Sequence, residues 1–565
     1  MQEITRLSRA LCLLAGSLTT PLLAQETLLS TQGDLAGDRY GYALAGTLDV
    51  DGDGLGDFVV GAPFNDQGSG DAGQVRVHSG ADGSLLLTLL GESPGDLFGT
   101  SVTGLGDLDG DGRDDLAVGA YAKDANGTDS GAVYVFSGAT GAQLFRFLGG
   151  SAGDHFGYAV AAAGDVNGDG TPDLLVGSRG EDLGGPNAGA ALVLSGANGS
   201  LIHRVEGQAA HDLFGSAVCS LGDLDGDGLP EFAVGARWND TNGENAGCVG
   251  VFRGSDGSQL IQLDGLAAGN LFGSSLACAG DLNGDGLNEL LVGSPGADLF
   301  GSNSGCVQAF SGANGAELFR WLGDQAGDAL GVSVAGAADV DGDGIPDVLA
   351  GAVGADAGGT SSGAVYVYSG ANGSRLTVVD GTTTGERMGY AVAMLGDLSA
   401  DGKAEVLLGA YGDANKGSLT GKADVVSLAC LAPTNYCVAA LNGAGTNARI
   451  SLEGSPSVAA NDFTLAVSGA RAQQFGVFYY GTQAMQAPFG NGFRCVDGQI
   501  FRLPAQQLDA AGAGSYTLDL ASPPDQPTGI AAGDALYFQF WYRDPGGPLG
   551  AGVNFSDALR VHFCP

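Results

Sequence analysis

Residues 49–57 read Asp49-Val50-Asp51-Gly52-Asp53-Gly54-Leu55-Gly56-Asp57. The same acidic pattern, Asp-x-Asp-x-Asp-Gly-x-x-Asp, starts again at Asp107, Asp165, Asp223, Asp281, Asp339 and Asp397, with a constant step of 58 residues and no insertion or deletion. A phenylalanine-glycine pair or a close variant precedes each copy, its glycine eight residues upstream: Tyr40-Gly41, Phe98-Gly99, Phe156-Gly157, Phe214-Gly215, Phe272-Gly273, Leu330-Gly331 and Met388-Gly389. A short apolar run ending in glycine and a small residue follows, as in Phe58-Val59-Val60-Gly61-Ala62. Self-similarity at a fixed period of this length is the mark of a repeat architecture.

One period holds four short strand signals. In the second repeat they are Ser101 to Gly104, Leu116 to Val118, Ala132 to Phe136 and Leu144 to Leu148, separated by glycine and Asn/Asp clusters. No stretch has helical periodicity. Four strands per repeat fit a propeller blade, which cannot bury both faces alone and must stack with its neighbours into a ring. The phase of the repeat adds a detail. Leu28 is in register with Leu86, Leu144, Ile202, Leu260, Leu318 and Leu376, all in the strand that ends a blade, whereas the seventh repeat stops near Leu428 without its own copy. The expectation is an all-β, seven-bladed β-propeller over residues 26–430, with the N-terminal strand completing blade seven and covering its open edge.

The acidic loops carry the chemistry. In a loop that curls around one centre, positions 1, 3 and 5 aim oxygens inward, position 7 adds a backbone carbonyl, position 9 adds a carboxylate, and the glycine at 6 permits the turn, as in a calcium loop. The candidate ligands are Asp49, Asp51, Asp53 and Asp57; Asp107, Asp109, Asp111 and Asp115; Asp165, Asn167, Asp169 and Asp173; Asp223, Asp225, Asp227 and Glu231; Asp281, Asn283, Asp285 and Glu289; Asp339, Asp341, Asp343 and Asp347; and, in the poorest loop, Asp397, Asp401 and Glu405, with Ser399 at position 3. Two carboxylates ~4 Å apart repel by about 1–4 kcal/mol depending on screening. Loops that gather three or four therefore call for a cation, and oxygen-only ligation suits a hard one. The expected cofactor is Ca2+, up to seven ions per chain.

These residues resemble the FG-GAP repeats of the integrin alpha-chain propeller: the phenylalanine-glycine pair, the calcium loop and the glycine-alanine-proline end, complete in Gly61-Ala62-Pro63. The resemblance covers about residues 26–430 and implies seven blades with calcium in the hairpin loops of one face. Fewer blades carry such loops in integrins. Their ligand recognition uses the opposite face and a partner beta chain, so ligand identity does not carry over.

Composition bounds the rest. The chain has 102 glycines, 18 prolines, a hydrophobic fraction of 44 % and a net charge of −41. Such a polyanion repels nucleic acid and anionic lipid. Arg6 and Arg9 precede the apolar run Ala10 to Ala15, and Pro21-Leu22-Leu23-Ala24 ends at a cleavage-type site, so residues 1–24 read as an export signal. No later segment has the ~18 consecutive apolar residues of a membrane helix. The expected location is secreted, periplasmic or at the cell surface.

After Leu428 the repeat stops, and residues 431–565 read as a β-sandwich-like domain, with strand signals at Phe475–Tyr480 and Leu536–Tyr542. Asn435-Tyr436-Cys437, Trp541-Tyr542-Arg543-Asp544 and Asn554-Phe555-Ser556-Asp557 resemble a C-terminal module of secreted bacterial proteins. Trp541 and Tyr542 read as packing aromatics, with a carbohydrate-stacking platform as the other reading. Cys430, Cys437, Cys495 and Cys564 suggest two disulfides, with three connectivities open. Cys219 and Cys278 fall on first strands, Cys248 and Cys306 on third strands. First and third strands of one blade stand about 9–10 Å apart, too far for a bridge, which leaves bridges between the two blades or free thiols.

Catalytic signals are weak. His78, His155, His203, His211 and His562 share no repeat position. Gly-x-Ser-x-Gly occurs around Ser93, Ser151 and Ser361 without the strand and helix of a nucleophile elbow. Arg179, Arg237 and Trp238 depart from the repeat just after the second strand and read as solvated surface or as part of a binding surface. The favoured function is a binding or adhesion module for an extracellular protein, matrix or glycan ligand. The alternatives are an extracellular hydrolase or lyase and a structural cell-surface protein.

Overall fold

The computed structural model describes residues 25–400, 402–428 and, in the tail, 434–435, 437, 439, 442, 444–453, 456, 461–524, 529–530, 535–545 and 552–562. The expected export signal, Asp401, Cys430 and Cys564 lie outside them. Each acidic loop joins two antiparallel strands, and each of the first six repeats folds into one four-stranded sheet, whereas the seventh contributes three strands to its sheet. Blade one is Ala43–Leu48, Asp57–Ala62, Gln74–His78 and Leu85–Leu90 in spatial order. Blade two follows the sequence reading closely, with Ser101–Gly106, Asp115–Ala120, Ala132–Phe136 and Gln143–Leu148. Five more sheets of the same order follow, making a seven-bladed β-propeller.

The strands differ in environment as the sequence pattern requires. Each second strand of the first six blades is buried along its whole length, Asp57–Ala62 and Asp115–Ala120 among them. That is why these strands read as unbroken apolar runs rather than alternations. The fourth strands expose alternate residues; Leu85 and Leu90 of blade one face solvent while Leu89 is buried. The inner strands surround a channel of about 740 Å³ lined by small residues such as Gly104, Ala162 and Ala337.

The phenylalanine-glycine pair welds neighbouring blades. Phe98 is buried against Tyr134 and Phe136 of its own blade. Its amide donates to the Ala72 carbonyl of blade one at 3.0 Å. Gly61 is required by close approach: a Cβ there would lie 2.1 Å from the Gly99 carbonyl oxygen of the next blade.

Ring closure follows the phase of the repeat. The strand Glu26–Gln32 pairs antiparallel with Lys422–Ser427, giving blade seven its fourth strand. Register runs from Glu26 opposite Ser427 to Gln32 opposite Lys422, with a bulge at Leu28. The Ser30 hydroxyl also donates to Asp424 Oδ1 at 2.6 Å.

In the tail, a six-stranded sheet built around Phe475–Phe489, Gly492–Arg502, Ala535–Asp544 and Gly552–His562 faces a three-stranded sheet, Arg449–Glu453, Thr464–Ser468 and Gly514–Thr517. Phe463 and Leu465 from one side and Phe478, Tyr480, Phe538 and Phe540 from the other share one core. Both predicted strands are present and longer than expected. Tyr479 points to the opposite side, against Val496 and Phe555, which explains the apolar residues on both faces of that strand. Cys437 and Cys495 form a disulfide, Cα atoms 6.3 Å apart. Cys219, Cys248, Cys278 and Cys306 are free thiols.

Candidate metal centres

Each acidic loop turns from the inner to the second strand, so all seven emerge on one face of the ring. In loop one the Asp49 carboxylate accepts the amides of Gly52 at 2.5 Å and Gly54 at 3.2 Å. Asp51 accepts the Asp53 amide, and Asp53 accepts the Leu55 amide. Gly52 and Gly54 have φ of 73° and 85°, the left-handed region that lets the chain curl. Loops two to six repeat this scheme, for example Gly112 on Asp107 and Gly228 on Asp223, both at 2.9 Å.

This curling converges carboxylates. Asp49, Asp51 and Asp53 bring oxygens within 4.8 Å of one another, as do Asp107, Asp109 and Asp115; Asp223, Asp225 and Glu231; Asp281, Asp285 and Glu289; and Asp339, Asp341 and Asp347. Asp111, Asp227 and Asp343 at position 5 lie outside these sets and, like Asp53 and Asp285 within them, accept the amide two residues on, as Leu229 on Asp227 at 2.9 Å. Loop three has only three carboxylates, and Asn167 spans them: its Oδ1 accepts the Asp169 amide and its Nδ2 donates to Asp173. Asn283 of loop five donates likewise to Glu289 at 2.8 Å. In loop seven Asp397 accepts the Gly402 amide and Glu405 the Leu398 amide.

Position 9 has a second role that sequence reading missed. Asp57, Asp115, Asp173, Glu231, Glu289, Asp347 and Glu405 are all fully buried. Asp57 accepts the Val50 amide of its own loop at 2.8 Å and the Gly80 amide beyond the third strand at 3.0 Å. The same pair of bonds recurs at Asp115, Asp173 and Asp347. This carboxylate therefore ties the loop to the far side of its blade. Burial pushes the pKa of Asp57, Asp115, Asp173, Glu231 and Glu289 up. Burial, with Asp341 and Asp339 adding repulsion, pushes Asp347 up to about 7. Three carboxylates that converge on one point offer the oxygen-only donor set that suits a hard divalent cation.

Basic side chains intrude at some loops. Arg253 Nε lies 2.7 Å from Asp225 Oδ2. The other blades carry serine at that place: Ser79, Ser137, Ser195, Ser311, Ser369 and Ser427.

The remaining candidates are structural in their contacts. His78 bridges Tyr40 Oη at 2.8 Å and the Gly83 carbonyl at 3.0 Å. Ser93, Ser151 and Ser361 sit in loops between strands. In the tail Tyr542 is buried in the core, whereas Trp541 is 37 % exposed beside a cavity of about 240 Å³ with Phe489 and Arg502.

Known proteins share these repeats. Residues 40–78, 98–136, 156–194, 214–252 and 272–310 match the FG-GAP repeat, and residues 339–408 match an FG-GAP-like repeat. The chain is 32 % identical over 220 residues to integrin alpha-5 of Xenopus laevis, covering 36 % of this chain and 20 % of that protein. It is 31 % identical over 219 residues to integrin alpha-V of Gallus gallus, again 36 % and 20 %. With integrin alpha-IIb of Homo sapiens it shares 36 % over 182 residues, 28 % of this chain and 16 % of that one. The matches thus span about a fifth of these relatives' length. A solved structure of BBS1N in complex with ARL6DN superposes with TM-score 0.45 and 12 % identity, covering 72 % of this chain and 98 % of that chain, too distant to bear on the site. The propeller is built of FG-GAP repeats and is integrin alpha-like.

Proposed function

We propose that this chain is an exported, calcium-held propeller acting as a binding or adhesion module outside the cell, for a protein, matrix or glycan ligand. The observation that carries the reading is the recurrence of three-carboxylate clusters at one turn of blades one, two, four, five and six. All seven loops have the oxygen donors for Ca2+, at positions 1, 3, 5 and 9, with the carbonyl of position 7 available. Bound calcium would cancel the repulsion within each loop and brace the inner hairpin of each blade. The rigid ring would then present its opposite face to a ligand. In this reading residues 1–24 are removed on export, residues 26–430 form the propeller unit and residues 431–565 a second unit.

Calorimetry on chelator-stripped protein, titrated in millimolar calcium, tests it. Five to seven ions per chain are expected, loop seven filling last; two or fewer overturn the loop assignment. A matrix-protein and glycan array tests the binding role. Turnover of a polysaccharide, ester or phosphoester in a zymogram would replace that role with a hydrolase or lyase.

A further inference from the structure

Some arginines of this acidic chain are ion-paired and others are not. Arg76, Arg204, Arg253 and Arg375 each hold a carboxylate. Arg39, Arg179, Arg237 and Arg387 do not: among the described residues none of their guanidinium groups has a carboxylate within 4.0 Å or a hydrogen-bond acceptor. Arg237 Nε is buried without a partner.

These four lie on one face. Arg39 and Arg387 immediately precede a phenylalanine-glycine pair at the start of a blade, and Arg179 and Arg237 immediately follow second strands. In an antiparallel hairpin those two places share one end, the end away from the acidic loop. Aromatic rings hold the guanidinium groups by their faces. Arg179 sits 3.5 Å from the Tyr158 ring centre and Arg39 4.0 Å from that of Phe64. Arg387 lies 5.6 Å from Tyr411, and Arg237 lies 5.9 Å from Trp238. Tyr42 packs at a tilt against Tyr390 and Tyr411, ring centres 4.7 and 5.9 Å away, joining blades one and seven. A ring face stabilises the cation but accepts no planar N–H bond, so the guanidinium edges stay available.

Arg39, Arg179 and Arg237 are partly buried and Arg387 is exposed; holding like charges on one face and partly out of water costs free energy unless an anion completes the site. A guanidinium fork takes an oxyanion in bidentate fashion. Trp238 adds a flat ring, 42 % exposed, beside Arg237. In blades five and six the positions in register with Arg179 and Arg237 hold Pro295 and Val353, and those in register with Tyr158 and Tyr390 hold Ser274 and Val332, so the crown's arginines and rings come from the other blades. We infer that this arginine-aromatic crown, on the face opposite the acidic loops, binds an acidic glycan, its carboxylate or sulfate groups on Arg179 and Arg237 and a sugar ring on Trp238. The chain's overall negative charge does not forbid this, because at physiological salt fields decay over about 8 Å and the patch itself is cationic. The inference rests on the reading of the chain as an extracellular binding module and names its ligand class.

The test is calorimetry on the full chain in calcium, with a hyaluronan octasaccharide (carboxylate), a heparin octasaccharide (sulfate), a neutral laminarin octasaccharide and polyglutamate as probes. Binding of one or both acidic oligosaccharides and not the neutral one is expected. Arg179→Gln with Arg237→Gln should weaken it roughly tenfold or more. Arg179→Lys should lie between, since charge stays and the fork is lost. Melting and calcium uptake of the variants should match the parent, which separates lost binding from lost folding. No acidic oligosaccharide bound, equal binding by the variants, or polyglutamate preferred over both glycans overturns the inference. If the array finds another ligand, the module reading survives that failure; if the array is also blank, both fall.

Discussion

The carbonyl oxygen of Gly41 lies 2.3 Å from where a Cβ on Gly409 would stand, although 368 residues separate them. The Gly61–Gly99 and Gly177–Gly215 pairs repeat the relation at 2.1 Å between successive blades. Blade seven therefore meets blade one as any blade meets the next. Gly409→Ala should lower the stability of the ring by about 1–3 kcal/mol, the usual cost of overpacking against fixed backbone. Chemical denaturation with the propeller's own signal measures it, and an unchanged midpoint would contradict the contact.

Closure also depends on the first strand. Deleting residues 25–32 removes the partner of Lys422–Ser427 and exposes an unpaired edge. Hydrogen exchange should show the amides from Asp424 to Leu428 losing protection before those of blades three and four, although the deletion is at the other end of the chain. Full protection there would mean that the N-terminal strand does not hold the ring.

Without calcium, stability should fall as pH rises. The folded pKa of Asp347 is about 7 against an ordinary 3.8, so the folded state holds the proton more tightly. That contribution is complete below about 4 and is lost as pH climbs through about 7. Calcium binds the ionised form and opposes the loss. The melting temperature in chelator should therefore drop between pH 5 and 8, the gain on adding calcium should grow over the same window, and Asp347→Asn should flatten the chelator profile. A calcium gain independent of pH would refute this.

The Arg253–Asp225 pair, 2.7 Å between Nε and Oδ2, places a competing cation at loop four. Solvent screens an exposed pair of this kind, so the competition it offers to calcium is modest. Arg253→Ser, the residue found in the other blades, should tighten calcium at that loop roughly threefold to fivefold. Exchange of the peptide spanning 223–231, followed during calcium titration, should show the midpoint moving to lower calcium. A midpoint that stays or moves upward would rule out the competition.

The repeat, the number of blades, the strand order within each blade, the closing strand at Leu28 and the gathering of carboxylates in loops one, two, four, five and six were legible in the chain. The reason is that period, turn chemistry and ligand spacing are local properties, written within one 58-residue unit and copied seven times. The second duty of Asp57 and its counterparts was not legible, because its partner Gly80 lies 23 residues away across two strands. Nor was the choice of Cys437 with Cys495 from three connectivities, which depends on how the tail sheets fold. The arginine-aromatic crown draws residues from blades seven, one, three and four, each an isolated departure from the repeat. Only closure of the ring brings Arg39, Arg179, Arg237 and Arg387 to one face with rings against them and no carboxylate in reach, because charge pairing is a matter of distance in space and a linear sequence carries none.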